Sequence, residues 1–74
     1  MADIIAVFRS RTQALDCREM LKKYKIPAAI IATPTHLGCG CGYSVKYSAT
    51  AQRAVKNIIS RAGYTAFYGY AEYR

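Results

Sequence analysis

Thr33-Pro34-Thr35-His36-Leu37-Gly38-Cys39-Gly40-Cys41-Gly42 divides the 74-residue chain into two halves that read alike, each as strand, helix, strand. Pro34 fixes the entry to the stretch, and the glycines that alternate with the two cysteines let the backbone take positive φ and approach other groups closely. A glycine-flanked pair of thiols makes a poor core element and a good reactive one. The reading of this stretch as a loop, and not as part of a strand or helix, sets the fold.

Upstream of the loop, Ala28-Ala29-Ile30-Ile31-Ala32-Thr33 is an apolar strand. Lys25-Ile26-Pro27 before it stops a helix, because a residue preceding proline avoids the helical region. That helix is predicted from about Arg11 to Tyr24. Ala14, Cys17, Leu21 and Tyr24, widened by Leu15 and Met20, recur at three and four residues as one buried stripe, which makes Cys17 a small buried hydrophobe. Ser10 and Gln13 have the spacing of a capping box. Asp3-Ile4-Ile5-Ala6-Val7-Phe8 is a continuous apolar run, expected of a central strand. Downstream, Tyr43-Ser44-Val45-Lys46-Tyr47 alternates, with the tyrosines and Val45 toward the core. Ser48 caps a second helix whose Ala51, Ala54, Val55, Ile58, Ile59 and Ala62 keep the helical spacing, and Gly63 ends it. Ala66 to Tyr73 is a fourth strand with Gly69 as the mark of a bulge.

The order β-α-β-β-α-β predicts an α+β fold of the ferredoxin-like kind: residues 1–74 as one domain, an antiparallel sheet and both helices on one face. Strands one and three are then neighbours. The end of strand one and the start of helix one therefore fall beside the cysteine loop, which places Arg9, Ser10 and Arg11 as groups that bind or activate at Cys39 and Cys41, with Gly40 and Gly42 giving the thiols room.

Eleven Lys and Arg against four Asp and Glu give a net charge of +7, which attracts nucleic acid, acidic proteins or small anions alike. No apolar run approaches the roughly 20 residues of a membrane span, so no membrane partner is expected. Met1-Ala2-Asp3 leads directly into an apolar strand, and a cytoplasmic location is the expectation. There, an odd number of cysteines reads as reduced thiols, redox groups or metal ligands.

Phe8-x-Ser10 opening the first helix, then Ile26-Pro27, then Thr33-Pro34 leading to Cys41-Gly42 before a short strand, resembles a small bacterial family of selenium/sulfur carrier-like proteins over nearly the whole chain. The resemblance implies that Cys41 is the carrier thiol and that the cargo is a covalent persulfide or perselenide. It also implies a sulfur- or selenium-transfer or redox partner protein. Cys39 is an addition to that pattern, which leaves a single carrier thiol and a cycling pair both open.

A carrier thiol must ionise. At an ordinary pKa near 8.5 about 3% is thiolate at pH 7, and lowering the pKa by about 1.5 units, roughly 2 kcal/mol, makes about half of it thiolate. A helix N-terminus supplies about 0.3 to 1 kcal/mol, and Arg9 or Arg11 can supply the remainder. Cys39, Cys41 and His36 also make a partial soft-metal site suited to Cu(I) or zinc, three ligands against the usual four. For His36 alone a solvated turn residue is the simpler reading.

The open face of the sheet, carrying apolar residues of strands one and two with Tyr68 and Tyr70, is expected to drive homo-oligomer formation. RNA binding on the same face is the rival use. No paired carboxylates, Ser-His-Asp set or phosphate loop marks the chain as a self-contained enzyme.

Overall fold

A computed structural model of the protein describes residues 3–33 and 42–73. The elements follow the order β1 (Asp3–Phe8), α1 (Arg11–Lys23), β2 (Ala28–Ala32), β3 (Tyr43–Ser48), a 3-10 turn (Ala49–Ala51), α2 (Gln52–Ala62) and β4 (Phe67–Tyr73). The strands form one sheet in the order β2-β3-β1-β4, every neighbouring pair antiparallel. Phe8 stands opposite Tyr43 of β3 on one side and Phe67 of β4 on the other. Both helices join Ala6, Phe8, Val45 and Tyr47 in a single core through Ala14, Cys17, Leu21, Val55 and Ile59, so they cover the same face. Complete burial of side chains such as Phe8, Leu21, Val45 and Val55 is worth about 1.5–3 kcal/mol each and holds the layers together.

The start and end of α1 show how local chemistry sets its length. Ser10 adopts an extended backbone and its hydroxyl accepts the Gln13 N–H at 3.3 Å. Gln13 does not complete the predicted capping box. Its Nε2 donates to Thr65 Oγ1 at 2.9 Å and its Oε1 accepts the Ala66 N–H at 2.8 Å, so it clamps the approach to β4 across 53 residues of sequence. At the other end, the Ile26 N–H reaches the Leu21 carbonyl and the Lys25 N–H that of Lys22, the paired bonds of a Schellman motif. Lys25 takes the left-handed position with φ 60°, where glycine is the usual occupant. Tyr24, expected on the buried stripe, is the cap residue off the helical spiral and stays 61% exposed.

In α2 the buried stripe is narrower than its spacing predicts. Val55 and Ile59 are buried and Ala51 and Ile58 half-buried, whereas Ala54 and Ala62 are exposed. Gly63 closes the helix at φ 67°, donating to the Ile59 carbonyl.

The sheet corrects the expectation for β4. Val7 pairs with Gly69 but Phe8 with Phe67, so Tyr68 is the extra residue of a bulge. One added residue reverses the alternation of everything after it. Tyr70, expected beside Tyr68 on the helix-free face, therefore packs against the core, while Tyr68 remains 52% exposed. On that helix-free face Ile5 and Val7 are only 0% and 2% exposed within the single chain, which removes two central residues from the apolar surface expected there. Among the described residues no helix is long and apolar enough to cross a membrane.

Cys17 is buried, as its place on the stripe predicts, and desolvation with the nearby Asp16 charge pushes its thiol up from 9.0 to about 12. The folded state then holds a proton that the unfolded chain releases between those values, so this part of the stability is intact below about pH 9 and is lost as pH rises toward 12. Urea midpoints measured with reductant between pH 7 and 10.5 are expected to fall above about pH 9, with a shallower fall in Cys17→Ser. An unchanged slope in that variant removes Cys17 as the cause.

Candidate functional site

The site is built where β1 ends. Thr33 and Gly42, the last described residue before the cysteine stretch and the first after it, face each other through an N–H to carbonyl hydrogen bond of 3.1 Å. Thr33 Oγ1 and Ser44 Oγ lie 2.8 Å apart in the interior, a buried hydroxyl pair that ties the same two strands together. Gly42 sits so close to β1 that a Cβ on it would come within 2.7 Å of the Phe8 carbonyl oxygen. Only glycine fits, because the obstructing atom is backbone and has nowhere to go. Gly42, which follows Cys41 in the sequence, thus lies beside Phe8, where β1 ends.

Arg9, Ser10 and Arg11 are all at this corner, and the structure gives them different tasks. Ser10 spends its hydroxyl on the helix cap. The Arg9 guanidinium lies 5.4 Å over the Tyr68 ring, toward β4, and the Arg9 backbone N–H donates to the Ala66 carbonyl. Arg11 lies 5.6 Å over the ring of Tyr43, the residue that follows Gly42. The predicted arginine pair is therefore split, and Arg11 alone faces the strand that leads out of the cysteine stretch. No acidic side chain occupies the first turn of α1, so its positive end is not neutralised locally. Tyr43, expected in the core, is instead 37% exposed. It begins β3 level with the first turn of α1, where Arg11 gives it a cation-π partner in place of core contacts.

Cys39, Cys41, Gly40 and His36 lie outside the described residues, as does any metal set built on them. Among the described residues no group of three or more His, Cys, Asp or Glu could hold a metal ion. Sequence reasoning missed the Thr33–Ser44 pair and the obligatory glycine at 42. Alternation along β3 could have shown Ser44 and Thr33 on the face away from the helices, but not that they touch.

The family model described as "Putative Se/S carrier protein-like" matches residues 3–68. The chain belongs to this family. The match to the Se/S carrier-like family takes in both helices, the Thr33–Gly42 neck and the Arg9–Arg11 corner. Searches of curated proteins and of solved structures returned no match.

Two measurements test the neck. Gly42→Ala should lose about 1–3 kcal/mol in chemical denaturation, since β1 and β3 must separate locally to admit the methyl group. Thr33→Val and Ser44→Ala should each cost about 1–2 kcal/mol by leaving a buried hydroxyl alone, and the double variant clearly less than the two together. Additive losses would show that the two hydroxyls do not bond.

Proposed function

We propose that this Se/S carrier-like chain holds a sulfur or selenium atom on Cys41 and passes it between partner enzymes in the reducing cytoplasm. The observation that carries the reading is the close approach of Gly42 to the Phe8 carbonyl, which fixes the residue after Cys41 at the end of β1, just before Tyr43, whose ring lies under Arg11. Family membership supports the class of cargo. The strand order β2-β3-β1-β4 supports reading the frame as ferredoxin-like.

The chemistry is an exchange without net oxidation. The Cys41 thiolate attacks the outer sulfur of a donor persulfide R–S–SH; the new S–S bond forms on Cys41, the old one breaks, and the donor leaves as the thiolate R–S⁻. Delivery to an acceptor thiolate is the same step in reverse. Cys39 is the resolving thiol: its thiolate attacks the inner sulfur of Cys41–S–SH, gives the Cys39–Cys41 disulfide and releases hydrosulfide. The positive end of α1 and Arg11 stabilise the thiolate in each step. The same two thiols and His36 are the donors that Cu(I) or zinc would use.

A second reading, RNA binding, draws on Tyr68 and Tyr43, two exposed tyrosines that each carry an arginine. Homo-oligomer formation through the helix-free face keeps Tyr68, Ala29 and Ile31 as its surface.

Alkylation at pH 6.5 with peptide mapping should label Cys41 first, Cys39 next and Cys17 last. Arg11→Ala should slow Cys41 about 2–5-fold, and Arg9→Ala less. Intact mass after treatment with a persulfide donor should show one added sulfur in Cys39→Ser, where no resolving thiol can expel it, that the double variant Cys39→Ser with Cys41→Ser lacks. Cys17 labelling as fast as Cys41, or Cys39 of Cys41→Ser labelling at the wild-type Cys41 rate, overturns the assignment.

A further inference from the structure

The helix layer carries two features that the thiol site does not use. The first is an open groove of about 570 Å³ between the end of α1 and α2, lined chiefly by Met20, Tyr24, Ile26, Ala54, Ile58 and Arg61. Its size is that of a binding cleft rather than a packing defect. It also accounts for the residues that broke the helical pattern: Tyr24, Ala54 and Ala62 are apolar at positions predicted to be buried, yet they line this groove or its mouth and remain exposed.

The second feature is charge. Apart from Arg11, which serves the thiol corner, seven of the eleven Lys and Arg residues lie in this layer: Arg18, Lys22 and Lys23 on α1, Lys25 just after it, and Arg53, Lys56 and Arg61 on α2. Against them the helices carry Asp16 and Glu19, and both have partners: Asp16 accepts the Tyr64 hydroxyl at 2.8 Å and Glu19 pairs with Arg18 at 3.0 Å. Arg61 lines the apolar groove itself, and the helix layer that forms it is strongly positive.

We propose that this groove docks an acidic amphipathic helix of a partner protein. A ridge of apolar side chains at helical spacing fits an apolar groove between two helices, and Met20 can adapt its unbranched side chain to the ridge. Carboxylates flanking the ridge then meet Arg61 and the neighbouring basic residues. The other candidates fit less well. A lipid surface needs a convex apolar face, whereas this one is concave; RNA would find one ring, Tyr24, in a trough of aliphatic side chains; a second copy would bring its own +7 charge to the same surface. Met20 and Tyr24 lie nine and thirteen residues beyond Arg11, about 14–20 Å along α1. A partner seated there leaves the corner of Arg9, Ser10 and Arg11 uncovered, so recognition and group transfer occupy opposite ends of one helix. The proposal deepens the carrier reading by naming the partner's chemistry, but the binding does not require a reactive thiol.

The test is fluorescence anisotropy at about 0.15 M salt with the full chain and a labelled helical peptide of about 18 residues, Leu on one face and Glu on the other. Saturable binding is expected, with little binding of the same peptide carrying Lys in place of Glu. Ala54→Glu and Arg61→Glu, both at exposed positions, should each weaken it about tenfold, whereas Arg9→Glu at the far end should change it less than about twofold. A chain with all three cysteines replaced by Ser that keeps its fold should bind as the parent does, which separates this result from the fate of the thiol assignment. Equal binding of the Lys peptide, indifference to Ala54→Glu and Arg61→Glu, or tighter Ala54-dependent binding of phosphatidylserine vesicles or single-stranded RNA overturns the proposal. So does a dimer in light scattering that Ala54→Glu dissolves.

Discussion

The close approach of Gly42 to the Phe8 carbonyl is the constraint to which both halves of the chain answer. From Phe8 the ring reaches into the core, meeting Tyr64 at 5.3 Å and Phe67 at 5.5 Å, while its backbone pairs with strands on both sides. Phe8 thus anchors β1 from within as Gly42 presses on it from β3. A strand held so firmly gives the next three residues a fixed starting point, and those residues are Arg9, Ser10 and Arg11. The location of the candidate chemistry follows from a packing requirement on Gly42, the residue next to Cys41 in the sequence.

The separation of Arg9 and Arg11 onto Tyr68 and Tyr43 follows from the same geometry. The chain leaves the sheet at Phe8 and must turn to begin α1, so residues on the two sides of Ser10 cannot point alike. Ser10 is consumed in making that turn possible. Of the three residues that look equivalent in sequence, one caps, one braces β4 and one faces the cysteine stretch.

Periodicity made the helices and β1 legible because their burial is local and regular: Ala14, Cys17 and Leu21 sit where a 3.6-residue repeat puts them. The errors have equally physical origins. Tyr70 was placed on the wrong face because a bulge shifts the phase of a strand, and Gly69 announces the bulge without saying which residue is extra. Gln13 looked like a capping partner, but its amide is claimed by Thr65 and Ala66, a contact that no spacing rule can anticipate. The neck of the site could be read as loop boundaries, whereas the demand for glycine at 42 is set by a carbonyl 34 residues earlier. Cys41 itself rests on the family and on what surrounds its neighbour.

The bulge at Tyr68 also makes the two borders of the sheet unequal. On β4 the hydrogen-bonding row is broken near its start, which spoils it as a template for another strand. On the opposite border β2 offers five residues, Ala28–Ala32, with no charge and no proline among them, and only Pro27 guards one end. A strand that joined the sheet would meet an edge without a bulge at β2 and a bulged one at β4.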